Sequence, residues 1–231
     1  MSNREFDEYS ENYEALLRDP LRDRFSQGSG NLFFHLRKRD VIQRFWKERD
    51  IDTHLLDYLD LGCGKGELLT LLEPAFQHVA GCDFSAGMIE SIKRIETRVQ
   101  ADPYTIPFES GRFDFVTAVC VYHHVPVEER ARLTSEARRV LRPGGVLCII
   151  EHNPRNPVTR AIVKRTPVDA NAILLPSSET RRLLLGRGFS ILKMQYFLFL
   201  PAMFYGSLAD RLEAGLGRIP LGGQYAVFAQ S

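Results

Sequence analysis

Short, unbroken apolar runs punctuate the first two-thirds of the chain, at 56–61, 78–82, 97–101, 113–121 and 145–151. Each has the length of a strand, and their nearly continuous apolar character predicts strands covered on both faces. Between the runs the apolar positions space out to every third or fourth residue, predicting helices over 66–73, 85–94 and 127–141. Strand and helix in alternation predict a mostly parallel α/β sheet with helices on both faces. Ahead of the repeat, Leu32, Phe33, Leu36, Ile42, Phe45 and Trp46 fall at helical spacing between Asn31 and about Arg49. Residues 1–30 mix charge with Phe6, Tyr9, Tyr13 and Phe25 and end in the breaker-rich stretch Ser26 to Gly30, so residues 1–50 are expected to form a helical cap.

The rhythm changes after residue 151. Residues 153–176 carry Pro154, Pro157, Pro167 and Pro176 and are too long for an ordinary connector, which marks a functional insertion. A helix is expected over 177–187, followed by apolar runs at 189–200 and 224–230 around a second insertion, 201–222, punctuated by proline and glycine. No clear crossover helix joins those last runs, so they are expected to pair antiparallel at the sheet edge. Residues 1–231 read as one domain with substrate-side insertions at 153–176 and 201–222.

Composition narrows the function classes. At 231 residues a single core buries roughly 70% of the unfolded chain's surface, so no disulfide or structural metal is needed. A formal net charge of +1 argues against a dedicated nucleic-acid binder. Cys63, Cys82, Cys120 and Cys148 are far apart and form no Cys-x-x-Cys pair, so free thiols in a reducing, cytoplasmic setting are expected and no metal-ligand set is. The longest apolar run, Tyr196 to Tyr205, is broken by Pro201 and is about half of the ~20 residues that span a bilayer.

The strongest chemical signal is Leu59-Asp60-Leu61-Gly62-Cys63-Gly64-Lys65-Gly66, an apolar strand entering a glycine loop that opens a helix. Such a loop lets a ligand approach the backbone and the free N–H groups of the helix start. Asp83 ends the next apolar run some 20 residues further on, where a carboxylate accepts ribose hydroxyls. Ser85 stands ready to cap the following helix, which leaves Asp83 to the ligand. The spacing is Gly-x-Gly-x-Gly rather than the Gly-x-Gly-x-x-Gly of a dinucleotide fold, which favours a single adenosine over a nicotinamide cofactor.

Further segments complete a pattern: Gly81-Cys82-Asp83-Phe84-Ser85 with Met88, Ala101-Asp102 with Ile106-Pro107-Phe108, Phe113-Asp114 through Tyr122-His123-His124, and Arg139 to Gly145. Together with the glycine loop they resemble the class I S-adenosylmethionine-dependent methyltransferases, most closely the type 11 small-molecule branch. The resemblance implies a Rossmann-like seven-stranded sheet with an antiparallel last strand. It implies S-adenosylmethionine as cofactor, with Asp60 and the Gly62, Cys63, Gly64 and Gly66 loop on its methionine part and Asp83 on the ribose. Phe84 and Met88 would face the adenine, Asp102 its amino group, and Val119 the transferring methyl. Tyr13 would contribute from an N-terminal lid. The family commonly offers a backbone N–H to the adenine after the acidic residue, whereas Pro103 has none to give.

Methyl transfer from a sulfonium is an in-line displacement that asks mainly for alignment and exclusion of water. His123, His124 and His152 fall at strand ends on the ligand side and titrate in the right range for proton transfer to or from an O or N acceptor. Arg37, Lys38 and Arg39 precede the first strand and are candidates for the donor's carboxylate. Arg155, Arg160, Lys164 and Arg165 make the insertion basic, suited to an anionic group on the acceptor. The expectation is a methyltransferase acting on a small-molecule acceptor, as a monomer or homodimer. No nucleic-acid partner is expected: the Val121 to His124 segment lacks the Asn/Asp-Pro-Pro-Tyr pattern of amino-methylating DNA enzymes. The alternatives are a nicotinamide-dependent oxidoreductase and a catalytically silent donor-binding subunit.

Overall fold

A computed structural model of the protein describes residues 9–27, 30–206, 213 and 215–231. The expected cap residues 1–8, residues 28–29 of the breaker stretch, and 207–212 and 214 of the second insertion lie outside them. Seven strands form one sheet: β1 (Asp57–Leu61), β2 (His78–Asp83), β3 (Glu96–Val99), β4 (Phe113–Val119), β5 (Leu141–His152), β6 (Ser190–Phe197) and β7 (Gln224–Gln230). Their order is β3-β2-β1-β4-β5-β7-β6. The first five run parallel, and β7 runs antiparallel to both β5 and β6.

In chain order the helices are α1 (Tyr13–Leu16), α2 (Pro20–Ser26), α3 (Gly30–Lys47), α4 (Glu67–Leu72), α5 (Ala86–Ile89), α6 (Arg130–Val140), α7 (Pro157–Val163) and α8 (Ser177–Gly186). Of these α3, α4, α6 and α8 fall near their expected places. Local chemistry sets several starts. Asp19 accepts the N–H groups of Leu21 and Arg22 at the head of α2, and Asn156 accepts that of Thr159 at the head of α7, each with proline in the first helical position.

Strand periodicity sorts the core into two layers. Leu59, Val116, Leu147, Ile149 and Val227 point to one face, where Leu133, Ala137 and Val140 of α6 and Leu184 of α8 cover them. Tyr58, Phe115, Cys148, Ile150 and Phe228 point to the other, against Ile42, Phe45 and Trp46 of α3 and Leu68, Leu69 and Leu72 of α4. Phe45 stacks on Phe228 with ring centroids 3.9 Å apart and planes 4° from parallel.

Two elements depart from expectation. The 85–94 helix is only α5, because the chain turns after Ile89 and lays Ile92 against Gly66, where a Cβ would lie 2.7 Å from the Ile92 Cδ1. β5 begins early: Leu141 pairs with Phe113 before the Arg142 to Gly145 segment bulges out and register resumes at Phe115 and Val146. The antiparallel edge pair expected of the last two runs forms, with β7 on its inner side between β5 and β6, and this order follows from its composition. Tyr225 to Ala229 are all buried, so the strand needs cover on both faces and both edges, whereas β6 is only partly buried along most of its length.

Phe228→Ala is expected to lower stability by about 3–5 kcal/mol through the cavity left against Phe45. Urea unfolding should show a lower midpoint with an unchanged slope, and Leu55→Ala, at a position 71% exposed, should stay within about 0.5 kcal/mol of the wild type.

Candidate functional site

The loops that leave β1 and β4 diverge to opposite sides of the sheet, and the crevice between them lies at the carboxyl ends of the strands. The glycine loop after β1 is folded by its own N–H groups. Those of Gly62 and Cys63 both reach the Cys82 carbonyl of β2, at 2.8 and 3.1 Å. Gly62 has φ of +70°, and a Cβ there would meet the Val121 Cγ2 at 2.5 Å, so a side chain would close the crevice as well as strain the backbone.

Asp83, at the end of β2, fastens the two loops together: Oδ2 accepts the Gly64 N–H and Oδ1 the Ser85 N–H, both at 2.9 Å. Ser85 caps α5 by accepting the Met88 N–H, as expected of it.

A cavity of about 290 Å3 occupies the crevice. One wall carries Gly62, Cys63, Asp83, Phe84, Met88 and Pro103; the other carries Val119, Cys120, His123, His124 and His152. Tyr13 of α1 and Phe34, His35 and Lys38 of α3 close one side, and Thr159 to Asp169 of the insertion contribute another. Tyr13 packs with Leu16, Leu17 and Phe84 around Met88 and Val168, and burial pushes its hydroxyl pKa up, helped by Glu67 and Asp169.

Three of the expected site residues do not line the cavity. Gly64 and Gly66 shape the loop without lining the cavity. Asp102 also stays outside: its carboxylate is taken by the Tyr104 N–H and Thr105 hydroxyl, each at 3.0 Å, and by Arg132. Pro103 and Tyr104 line the wall in its place, on a loop braced by the buried Gln100, whose amide donates to the Pro103 and Thr105 carbonyls.

Of the three basic residues of α3, Lys38 alone lines the cavity; Arg37 pairs with Glu213 and Asp40, and Arg39 with Asp40. Arg155, Arg160, Lys164 and Arg165 of the insertion are exposed and are not part of the cavity wall. No described residue of 201–222 lines it either. Glu213 instead ties that segment down, accepting the Leu198 and Phe199 N–H groups as well as Arg37.

Asp60 sits at the floor, accepting the Thr117 hydroxyl at 2.6 Å, with Tyr58 bonded to Thr117 at 2.8 Å. Burial pushes its carboxyl up to about 7, although Thr117 and Lys38 oppose the shift. Cys120 ends β4 in the left-handed region, with φ of +58°. Its sulfur lies 3.7 Å from Gln224 Nε2, 3.8 Å from Lys38 Nζ and 3.9 Å from His152 Nε2. Burial opposes thiolate formation, but Lys38 and His152 outweigh it and hold the pKa at about 7.

The helical turn Tyr122–His124 is fastened by Glu151 of β5, a wholly buried carboxylate that accepts the Tyr122 N–H at 2.7 Å and His123 Nδ1 at 2.5 Å. Burial disfavours protonation of His123, and Glu151 reverses that strongly, so the ring is held charged. His124 is pushed the other way, to about 3, by burial and by the charge of His123.

Sequence patterns singled out the three histidines and Asp60 but passed over Glu151, Cys120, Asp169 and Gln224. Glu151 had a signal: it is the one carboxylate in the otherwise apolar run Val146 to Glu151.

A family profile described as "Methyltransferase domain" matches residues 59–149. Over 135 residues the chain is 33% identical to the 2-phytyl-1,4-naphtoquinone methyltransferase of Nostoc punctiforme, spanning 51% of this chain and 58% of that protein. It is 35% identical over 92 residues to the probable tRNA methyltransferase 9B of Mus musculus, spanning 39% and 20%. The chain thus covers less than two-thirds of either relative. Among solved structures, a methyltransferase from Thermotoga maritima, described as a possible histamine N-methyltransferase, superposes over 97% of both chains with a TM-score of 0.70 at 18% identity, a likeness of fold.

Two outcomes are expected of the site. Iodoacetamide should alkylate Cys120 ahead of the buried Cys63, Cys82 and Cys148, with a midpoint near pH 7 that Lys38→Met moves upward; peptide mapping across pH reads it. Because the Asp60 carboxyl is raised on folding, its proton is bound in the folded state and lost from the unfolded chain above about pH 4. Stability therefore falls as pH rises from about 4 through 7. Asp60→Asn should gain roughly 5–10 °C over the wild type at pH 8 and little at pH 4, measured by thermal unfolding.

Proposed function

We propose, from the premise that this chain belongs to the class I S-adenosylmethionine-dependent methyltransferases, that it binds S-adenosylmethionine in the cavity and methylates O or N of a small acceptor. One observation carries the reading: Asp60, Gly62, Cys63, Asp83, Phe84 and Met88 line the same cavity as Cys120 and His152. The cradle at Gly62 fits a ligand held against backbone, since any side chain there would run into Val121.

The cofactor supplies an electrophilic methyl on a sulfonium; the protein's part is to hold, align and exclude water. Asp83, held by the Gly64 and Ser85 N–H groups, lines the cavity, where a carboxylate suits ribose hydroxyls. Phe84, Met88 and Pro103 offer an apolar slot for the base. Its edge gets no backbone donor from Pro103, which lacks an N–H, or from Tyr104, whose N–H is given to Asp102. Asp60, poised near neutrality, ionises fully beside an ammonium group, and Lys38 suits a carboxylate.

For an acceptor that must lose a proton, His152 is the base we assign among the three histidines, since it faces the cavity beside Gln224, at 3.4 Å, whereas His123 is pinned by Glu151. A small acceptor is favoured because helices α1 and α3 and the 153–176 insertion surround the cavity. The near-zero net charge gives no general attraction to nucleic acid. In this reading residues 1–50 and 153–176 act as the cover of one domain.

Thermal unfolding with S-adenosylmethionine, S-adenosylhomocysteine or NAD in separate samples tests it. At about 100 times its dissociation constant a ligand adds roughly 2.7 kcal/mol, a rise of about 5–10 °C at this size. The adenosyl ligands are expected to give that rise, NAD none, and Gly62→Ala to abolish it. A rise with NAD alone would return the oxidoreductase alternative, and tight adenosyl binding without turnover on hydroxylated or amine acceptors would leave a silent donor-binding subunit.

A further inference from the structure

We propose that His123, His124 and Asp169 form a binding site for a borderline first-row divalent cation such as zinc, opening onto the same cavity. The geometry is assembled from two parts of the fold. The histidines sit on the turn after β4, and Asp169 sits on the helical turn Pro167–Asp169 of the insertion. The three ligand atoms all lie within 4.8 Å of one another. Asp169 Oδ1 is 3.4 Å from His123 Nε2 and 3.6 Å from His124 Nε2. Bonds of about 2.0–2.1 Å in a tetrahedron place neighbouring donor atoms roughly 3.3–3.4 Å apart, so little movement is required.

A second observation concerns His123 alone. It is 1% exposed, and its Nε2, aimed at the other two ligand atoms, makes no hydrogen bond. Its other nitrogen is taken by Glu151 at 2.5 Å, and Glu151 is itself fixed by the Tyr122 N–H. A carboxylate behind a histidine, setting the ring's orientation, is the supporting shell that metal sites use; an entering cation displaces the Nε2 proton to solvent, while the Nδ1 proton stays on the Glu151 hydrogen bond.

The backbone is braced to match. The Ile173 N–H donates to the His123 carbonyl at 2.8 Å, and Arg130 holds the Ile173 carbonyl at 2.7 Å, so the insertion that carries Asp169 is tied to the turn that carries the histidines. Two imidazoles and one carboxylate suit zinc, cobalt, manganese or iron(II) better than magnesium or calcium. All three ligands line the cavity, which leaves the remaining coordination position for an oxygen donor there, water or a hydroxyl or carboxylate group of an acceptor. The site needs no adenosyl ligand, so its test and that of the methyltransferase reading fail independently.

The full chain, stripped with a chelator and dialysed, is titrated with Co2+ followed by visible absorption and with Zn2+ followed by calorimetry. One equivalent is expected, with a cobalt spectrum of nitrogen and oxygen donors and no thiolate charge-transfer band, unchanged in Cys120→Ser. Asp169→Asn and His124→Gln should each weaken binding at least tenfold while retaining a cooperative unfolding transition. Binding no tighter than millimolar overturns the proposal. So does binding indifferent to both variants, which would place the ion on exposed histidines such as His78, and so does a thiolate band, which would place it at Cys120. The wild-type cobalt spectrum decides the donor set even where a variant fails to fold.

Discussion

A carboxylate sealed from water has to be answered by donors, and Glu151 is the place where this chain meets that demand. Its position near the end of β5 commits the backbone of the turn after the neighbouring strand β4, through the Tyr122 N–H, and the ring of His123. Burial works against its charge and His123 overcomes it, so the pair is a fixed dipole behind the part of the cavity that His123 lines. Arg130 reinforces the arrangement by bonding the Tyr122 and Val125 carbonyls from α6. The wall opposite the glycine loop therefore inherits its shape from one ion pair.

The two halves of the site are built on different principles. On the β1–β2 side the backbone does the work: glycines allow close approach, and Asp83 locks one loop to the next. On the β4–β5 side the side chains do it, through Glu151, the histidines, Cys120 and Gln224. Only at the junction of such halves does an α/β sheet leave a crevice, because neighbouring loops depart to opposite faces. Helix α3 then spans both, sending Phe45 into the core and Lys38 into the cavity.

The strands, the long helices and the glycine loop were legible in the sequence because each rests on local periodicity or on a residue type with one dominant use. What local pattern does not encode is how a side chain spends its bonding capacity. Asp102 reads as a ligand contact but is claimed by Tyr104, Thr105 and Arg132. Cys120 reads as an inert thiol, yet Lys38 and Gln224, from distant parts of the chain, converge on it. Asp169 lies some 45 residues beyond His123, a distance at which no motif links them. The interior place of β7 was nearly visible, since a run apolar at every position needs neighbours on every side.

That interior place has a consequence for how the molecule is made. Strand β7 follows every other strand in the chain, yet β6 reaches the sheet only through it. While the chain is being synthesised, β5 must wait with an open edge through the appearance of α7, α8 and β6, and β6 has no partner at all until Gln224 to Gln230 emerge. Open strand edges are where chains stick to one another. The length of that wait, rather than the stability of the finished sheet, is what a ribosome-bound chain of this topology has to survive.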